Sequence, residues 1–142
     1  FRRVLFRSGV DEVYAAVTRL GLERRIHFPG FVSDAELATL YARADVYVHP
    51  SFYEGFGLTI LEAMAAGTPV VTADRSSLPE VAGEAALLVD PGDVDALAQA
   101  ILRIATDEPL AADLRTRGRA RAATFTWEAA AEAMERIYRE RT

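Results

Sequence analysis

Ser51-Phe52-Tyr53-Glu54-Gly55-Phe56-Gly57-Leu58-Thr59-Ile60-Leu61-Glu62-Ala63-Met64-Ala65 decides how this chain is read. The apolar run from Val46 to His49 before it reads as a buried strand, and the Ala-rich run after it reads as a helix. Gly55 and Gly57 therefore fall where a strand hands over to a helix N-terminus. Glu54 stands ahead of them and Glu62 falls in the first turn that follows. Open N–H groups and the positive end of a helix dipole make such a junction a place for anions, phosphates above all. Carboxylates add nothing to phosphate affinity, but they accept hydrogen bonds from sugar hydroxyls. A phosphate cradle beside two hydroxyl acceptors suits a sugar nucleotide.

Working outward, short apolar runs alternate with helical patterns. The strand candidates are Arg3–Phe6, Arg25–Phe28, Asp45–His49, Pro69–Ala73 and Ala86–Val89. Helices are predicted over Val10–Leu20, Asp34–Arg43, Leu58–Ala66, Leu78–Ala82, Val94–Thr106, Glu108–Thr124 and Trp127–Arg141. Ser33-Asp34-Ala35-Glu36 and Ser77-Leu78-Pro79-Glu80 fit the capping box, and Asp93, Asp107 and Thr126 are N-cap candidates. Gly67-Thr68-Pro69 and Asp90-Pro91-Gly92-Asp93 are stop-and-turn signals. The alternation predicts an α/β fold, a Rossmann-like doubly wound parallel sheet with right-handed crossovers and a single domain over residues 1–142. Ligands of such sheets bind beyond the carboxyl ends of the strands, where Pro29–Ser33, Pro50–Thr59 and Asp74–Ser77 fall.

Composition narrows the classes. A chain of 142 residues with 51% hydrophobic residues has a full core available. The absence of cysteine excludes disulfides, thiol catalysis and thiolate metal sites, and fits a reducing compartment. A net charge of −5 argues against nucleic acid as a partner. No uncharged stretch is long enough for a bilayer, so membrane contact is at most peripheral. Arg115, Arg117, Arg119 and Arg121 read as a solvated helix face.

Each candidate has a plainer reading. Glu54 is either a solvated loop acid or a ligand contact, and its place ahead of Gly-Phe-Gly favours the ligand. Phe56 reads as a core plug rather than a ligand wall. Thr59-Ile60-Leu61-Glu62 is itself a capping box, so Glu62 either closes back on the Thr59 amide or turns outward to a ribose; the residues leave both open. His27 and His49 lack partners at metal-ligand spacing and read as structural histidines. Asp74 has no upstream Gly-x-Gly-x-x-Gly to make it a ribose acceptor. Ser76 and Ser77 form no nucleophile elbow, and Ser77 is better used as a cap. Trp127 reads as the core anchor of the last helix.

Glu54 and Glu62, with seven residues between them in Pro-Ser-Phe-Tyr-Glu-Gly-Phe-Gly-Leu-Thr-Ile-Leu-Glu-Ala-Met-Ala-Ala-Gly-Thr-Pro-Val-Val, closely resemble the signature (EX7E) of retaining GT-B glycosyltransferases of family 4, the "group 1" enzymes. The flanks agree: His27-Phe28-Pro29-Gly30-Phe31-Val32-Ser33 before, Ser76-Ser77-Leu78-Pro79-Glu80-Val81 and Leu87-Leu88-Val89-Asp90-Pro91-Gly92-Asp93 after. The likeness runs from about Leu20 to the end and covers the C-terminal, donor-binding half of the GT-B fold. It implies that Glu54 meets hydroxyls of the transferred sugar. Backbone amides of Gly55, Phe56, Gly57, Leu58 and Thr59 would hold sugar and diphosphate, Glu62 the ribose, and the Phe31–Val32 backbone the base. The donor would be a UDP-, GDP- or ADP-sugar, with no cofactor and no metal, in a bacterial cytoplasm.

The resemblance also implies what is unmatched. No residue here corresponds to the acceptor-binding N-terminal domain or to the basic pair that clamps the diphosphate. Phe1 to Ser8 does not resemble the family's first strand and is set aside as a join or remnant. A hexosyltransferase that is inactive without its N-terminal domain is the expectation. The competing expectations are a non-catalytic, self-associating nucleotide-binding module that forms a homodimer through its last helix, and a sugar-nucleotide epimerase of the same fold, for which acid–base side chains are not evident.

Overall fold

The computed structural model describes residues 10–140. The chain divides into two compact units that meet in sequence between Leu37 and Ala38. The first contains helix α1 (Val10–Arg19) and a loop that leads to α2 (Asp34–Arg43). In it Tyr14 and Phe28 stack at a tilt, ring centroids 4.6 Å apart. The expected capping box closes: the Ser33 amide donates to Glu36 Oε2 at 2.8 Å and the Glu36 amide to Ser33 Oγ at 3.3 Å. Those bonds hold the Glu36 carboxyl below its usual range.

The strand expected over Arg25–Phe28 is absent. The Arg25 and Ile26 amides donate instead to the Leu22 carbonyl at 2.8 and 3.1 Å, a turn that takes the groups a ladder would need. Ile26 and Phe28 stay exposed. The expected strand over Arg3–Phe6 lies outside the described residues.

The second unit holds the sheet. Strands β1 (Tyr47–His49), β2 (Val70–Ala73) and β3 (Ala86–Val89) lie in that order, all parallel, with Val48 opposite Val71 and Val71 opposite Leu87. Sequential parallel order requires a crossover between each pair, supplied by α3 (Leu58–Ala66) and α4 (Leu78–Ala82). All four residues of the central β2 are fully buried, so both faces of the sheet are covered, as its unbroken Val-Val-Thr-Ala run suggests. Helices α5 (Val94–Thr106), α6 (Glu108–Ala122) and α7 (Trp127–Glu140) complete the chain. Val71, Val89, Ala100, Ile104, Ala111 and Leu114 form one cluster between β2, β3, α5 and α6.

The caps explain why the elements stop where they do. Asp93 and Asp107 accept from the Ala96 and Leu110 amides, and Thr126 from the Ala129 amide, as their residue types predict. Gly67 ends α3 in the left-handed region at φ 82°, its amide returning to the helix carbonyls. Gly118 lets α6 lie close on α3: a Cβ there would stand 3.3 Å from Met64 Cγ.

Two sequence expectations fail in this unit. Trp127 is 88% exposed and α7 contains no buried residue, so the indole anchors no core. The solvated face expected for the arginines of α6 fails only at Arg121, since Arg117 and Arg119 are exposed. Arg115 pairs with Glu108 and Arg117 with Asp113, while Arg121 donates to the Val81 and Glu80 carbonyls that end α4 and lies 4.8 Å from the centre of the Phe125 ring.

Candidate functional site

The carboxyl end of β1 opens into the loop that carries Glu54, and α3 begins at Leu58. Gly57 is the residue that caps α3, at φ 99° and ψ 41°, and no side chain bonds to the helix start. The Ile60 amide turns back to the Gly57 carbonyl at 3.1 Å. Glycine is required twice over at 57. The backbone is left-handed, and a Cβ would come within 2.8 Å of Leu78 Cδ2. Gly55 has the opposite character, since a Cβ there meets nothing within 4 Å. The backbone at Gly55 therefore faces open space, while Gly57 makes the turn.

This geometry removes one of the two readings of Glu62. Thr59 lies inside the helix rather than at its cap, so the Thr59–Glu62 capping box does not form. The Tyr41 hydroxyl instead donates to Glu62 Oε2 at 3.1 Å, and the Thr59 hydroxyl bonds to Tyr47. Tyr41 and Tyr47 meet edge to face with centroids 5.3 Å apart. Tyr47 in turn reaches His49 Nδ1 at 3.4 Å, and His49 Nε2 lies 3.0 Å from Glu54 Oε1. Both glutamates thus terminate on one aromatic cluster: Glu62 on Tyr41, Glu54 on His49, with Tyr47 between. Burial raises the Tyr41 hydroxyl pKa well above its ordinary value, and the neighbouring Tyr47 and Glu62 add to the shift. Tyr47 is raised for the same reason, partly offset by its bonds to Thr59 and Tyr41.

The Glu54 loop is held from the neighbouring strand. Ser76 Oγ donates to the Glu54 carbonyl at 2.6 Å and receives the Glu54 amide at 3.3 Å. Ser77 Oγ lies 3.0 Å from the carbonyls of both Glu54 and Phe56. These contacts revise the expectation for Ser77: its hydroxyl makes no cap bond to α4 and fastens the loop instead, so the Ser77–Glu80 capping box is not formed. Phe56 is not a core plug either. It is 43% exposed and leans edge to face on Phe125, between α6 and α7. Leu58 is exposed at the start of α3. Asp74 is exposed and pairs with Arg75.

Of the other residues singled out, Phe31 and Val32 belong to the first unit, Phe31 in an exposed position after Gly30 at φ 67°. His27 is exposed in the same loop. Among the described residues no three His, Cys, Asp or Glu side chains gather in a way that could hold a metal ion, and no helix is long and apolar enough to cross a membrane. Tyr41, Tyr47, Ser76 and Ser77 are contributors that sequence reading missed. The i, i+2 spacing of Tyr47 and His49 placed them on one strand face, and the Ser76-Ser77 pair stood at the carboxyl end of a strand; nothing marked Tyr41.

A short parallel sheet with a glycine-capped helix at the end of its first strand is a Rossmann-like arrangement, and its likeness to solved glycosyltransferases makes it the C-terminal half of a GT-B fold. The chain belongs to the glycosyl transferases group 1, which match residues 8–121. It is 48% identical over 118 residues to the O-antigen chain mannosyltransferase B of Escherichia coli, covering 83% of this chain and 31% of that protein. It is 41% identical over 130 residues to the D-inositol 3-phosphate glycosyltransferase of Corynebacterium diphtheriae, covering 89% and 30%. Among solved structures, the sucrose-phosphate synthase of Thermosynechococcus elongatus superimposes with a TM-score of 0.81 at 41% identity, over 92% of this chain and 33% of that one. Anabaena HepE in complex with UDP-glucose gives 0.75 at 35% identity, over 81% and 32%. The chain thus spans about a third of the length of these relatives.

Proposed function

We propose that this chain is the donor-binding part of a retaining hexosyltransferase that moves a sugar from a nucleoside diphosphate to a hydroxyl acceptor. One observation carries the reading: Glu54 and Glu62, from a loop and a helix, both end on the Tyr41–Tyr47–His49 cluster beside a helix start that no side chain caps. The amides from Gly55 to Thr59 receive sugar and diphosphate, with the dipole of α3 favouring negative charge. Glu54 accepts from hydroxyls of the sugar and Glu62 from those of the ribose. The base is held by main-chain groups, which select among UDP, GDP and ADP only weakly because they carry little base discrimination. Leaving-group charge is stabilised electrostatically, without a metal. The name of the Escherichia coli relative makes mannosyl the first sugar to try, and the bound UDP-glucose of HepE makes glucosyl the second.

The basic pair that the resemblance assigns to the diphosphate, and the acceptor-binding half, have no counterpart in this sequence. By itself the chain binds donor and turns it over weakly, since losing such charge stabilisation costs about 3–4 kcal/mol of barrier in comparable oxyanion sites. Calorimetric titration with UDP, GDP and ADP, then with their sugar forms, tests the reading. Glu62→Ala weakens binding of the bare diphosphate, and Glu54→Ala weakens mainly the sugar form. Equal affinities in all three proteins would refute it.

A second reading, a self-associating nucleotide-binding module, is favoured by α7, where Trp127, Met134, Ile137 and Tyr138 are all exposed. Light scattering over a concentration series separates the two, since a strict monomer at high concentration removes the second.

A further inference from the structure

Histidine 49 has no part in the reading above beyond standing next to Glu54. Its surroundings are nonetheless more specific than a filler would need. Tyr47 and His49 project from the same face of β1, their rings nearly parallel at 16° with centroids 6.1 Å apart. The Thr72 hydroxyl on β2 donates to the His49 carbonyl at 3.0 Å, fixing the strand end from which the imidazole projects. The ring is less exposed than the carboxylate it meets, 19% against 35%. An imidazole that accepts from Tyr47 at Nδ1 and donates from Nε2 satisfies both of its contacts at once.

We propose that His49 is a positioning residue for Glu54: its Nε2–H engages Oε1 and so presents Oε2 to a hydroxyl of the donor sugar. The proposal rests on the donor-binding reading of Glu54. A carboxylate on a loop after a strand has several rotamers, and accepting a sugar hydroxyl with one oxygen requires the other to be held. A bond to the ring nitrogen supplies that hold, and Ser76 and Ser77 fix the backbone beneath it. The orientation continues through Tyr47 to Tyr41 and Glu62, so the sugar and ribose contacts share one scaffold.

A histidine that only fills space or steadies the fold predicts something different, and the two can be separated. UDP and GDP are titrated against UDP-glucose and GDP-mannose by calorimetry, and the ratio of affinities, sugar form over bare diphosphate, is the readout. His49→Phe keeps the ring volume and the stacking on Tyr47 but removes the donor. It loses about tenfold of that ratio while affinity for the bare diphosphate stays within about twofold, the scale of one hydrogen bond to a charged group. His49→Gln, whose amide can place a donor near the same point, recovers most of the loss. In a Glu54→Ala background, His49→Phe changes nothing further. Tyr47→Phe, which removes the hydroxyl at Nδ1, produces a smaller loss of the same kind and serves should His49→Phe fail to fold.

A lowered melting temperature with the ratio preserved overturns the proposal and leaves His49 structural. Diphosphate binding with no added affinity for the sugar form in the wild type also overturns it, while leaving nucleotide binding in place. Failure of the wild type to bind any of the four compounds overturns the donor-binding reading itself, and this proposal with it.

Discussion

Ser76 and Glu54 clasp each other across the loop: the serine hydroxyl donates to the glutamate carbonyl at 2.6 Å and receives its amide at 3.3 Å. Ser76 does so from φ 58°, where non-glycine residues rarely sit, and it is the one such residue among those described. Strain of this kind persists where the surroundings over-determine it. Ser76→Ala keeps the strain and loses both bonds, so it costs about 1–3 kcal/mol of stability and weakens sugar-nucleotide binding. Ser76→Gly relieves the backbone and recovers stability but not the binding. Urea denaturation and calorimetry on the two variants check the split.

Gly57→Ala combines a left-handed backbone with a Cβ driven to 2.8 Å from the buried Leu78. The expected loss is about 1–3 kcal/mol, with nucleotide affinity falling as the start of α3 shifts. Gly55→Ala has neither problem in the protein alone, since nothing stands near its Cβ. It should fold like the wild type and lose affinity only if a ligand occupies that space. Melting curves with and without UDP or GDP distinguish the pair.

Alkali should unfold the second unit through Tyr41 and Tyr47. Both hydroxyls have pKa values raised in the folded state, chiefly by burial. A raised folded pKa means the native state holds its protons longer, so the stabilisation is complete below about pH 10, the unfolded tyrosine value, and declines above it. The decline approaches about 1.4 kcal/mol per pH unit for Tyr41, and Tyr47 adds to it in the same direction. Tyr41→Phe should flatten that slope above pH 10 while leaving a lower plateau at pH 7, where the bond to Glu62 is lost. Denaturation midpoints across pH 7–12 measure it.

At α7, Trp127→Gln should change stability by no more than about 0.5 kcal/mol, because the indole is 88% exposed. Gly118→Val, where α6 lies on Met64 of α3, should cost about 1–3 kcal/mol by overpacking. Denaturant melts of these two variants rank the helices by what they bury.

The architecture of the second unit was legible because its signals are local. Val70–Ala73 is an unbroken apolar run, Asp93 and Asp107 stand where caps must stand, and Gly67 ends a helix as expected. What failed depended on distant partners. Arg25–Phe28 has strand-like residues, yet its amides take the Leu22 carbonyl. Ser77 looked like a cap because its sequence neighbours fit one, whereas its hydroxyl is engaged by carbonyls 21 and 23 residues away. The capping box at Glu62 could not be excluded from sequence, since it turned on which residue caps α3, a matter of the backbone at Gly57. Tyr41 left no trace at all, because nothing in a helix pattern says which carboxylate a tyrosine will meet.

The exposed indole of Trp127 has a practical outcome at the bench. It is the single tryptophan of the chain, and it is already bathed in water when the fold is intact. Intrinsic tryptophan emission should therefore stay nearly constant while the buried strands melt, and a flat fluorescence trace would be mistaken for an unusually robust protein. The same optical silence makes it a clean reporter: a blue shift would record something covering α7, uncontaminated by loss of the core.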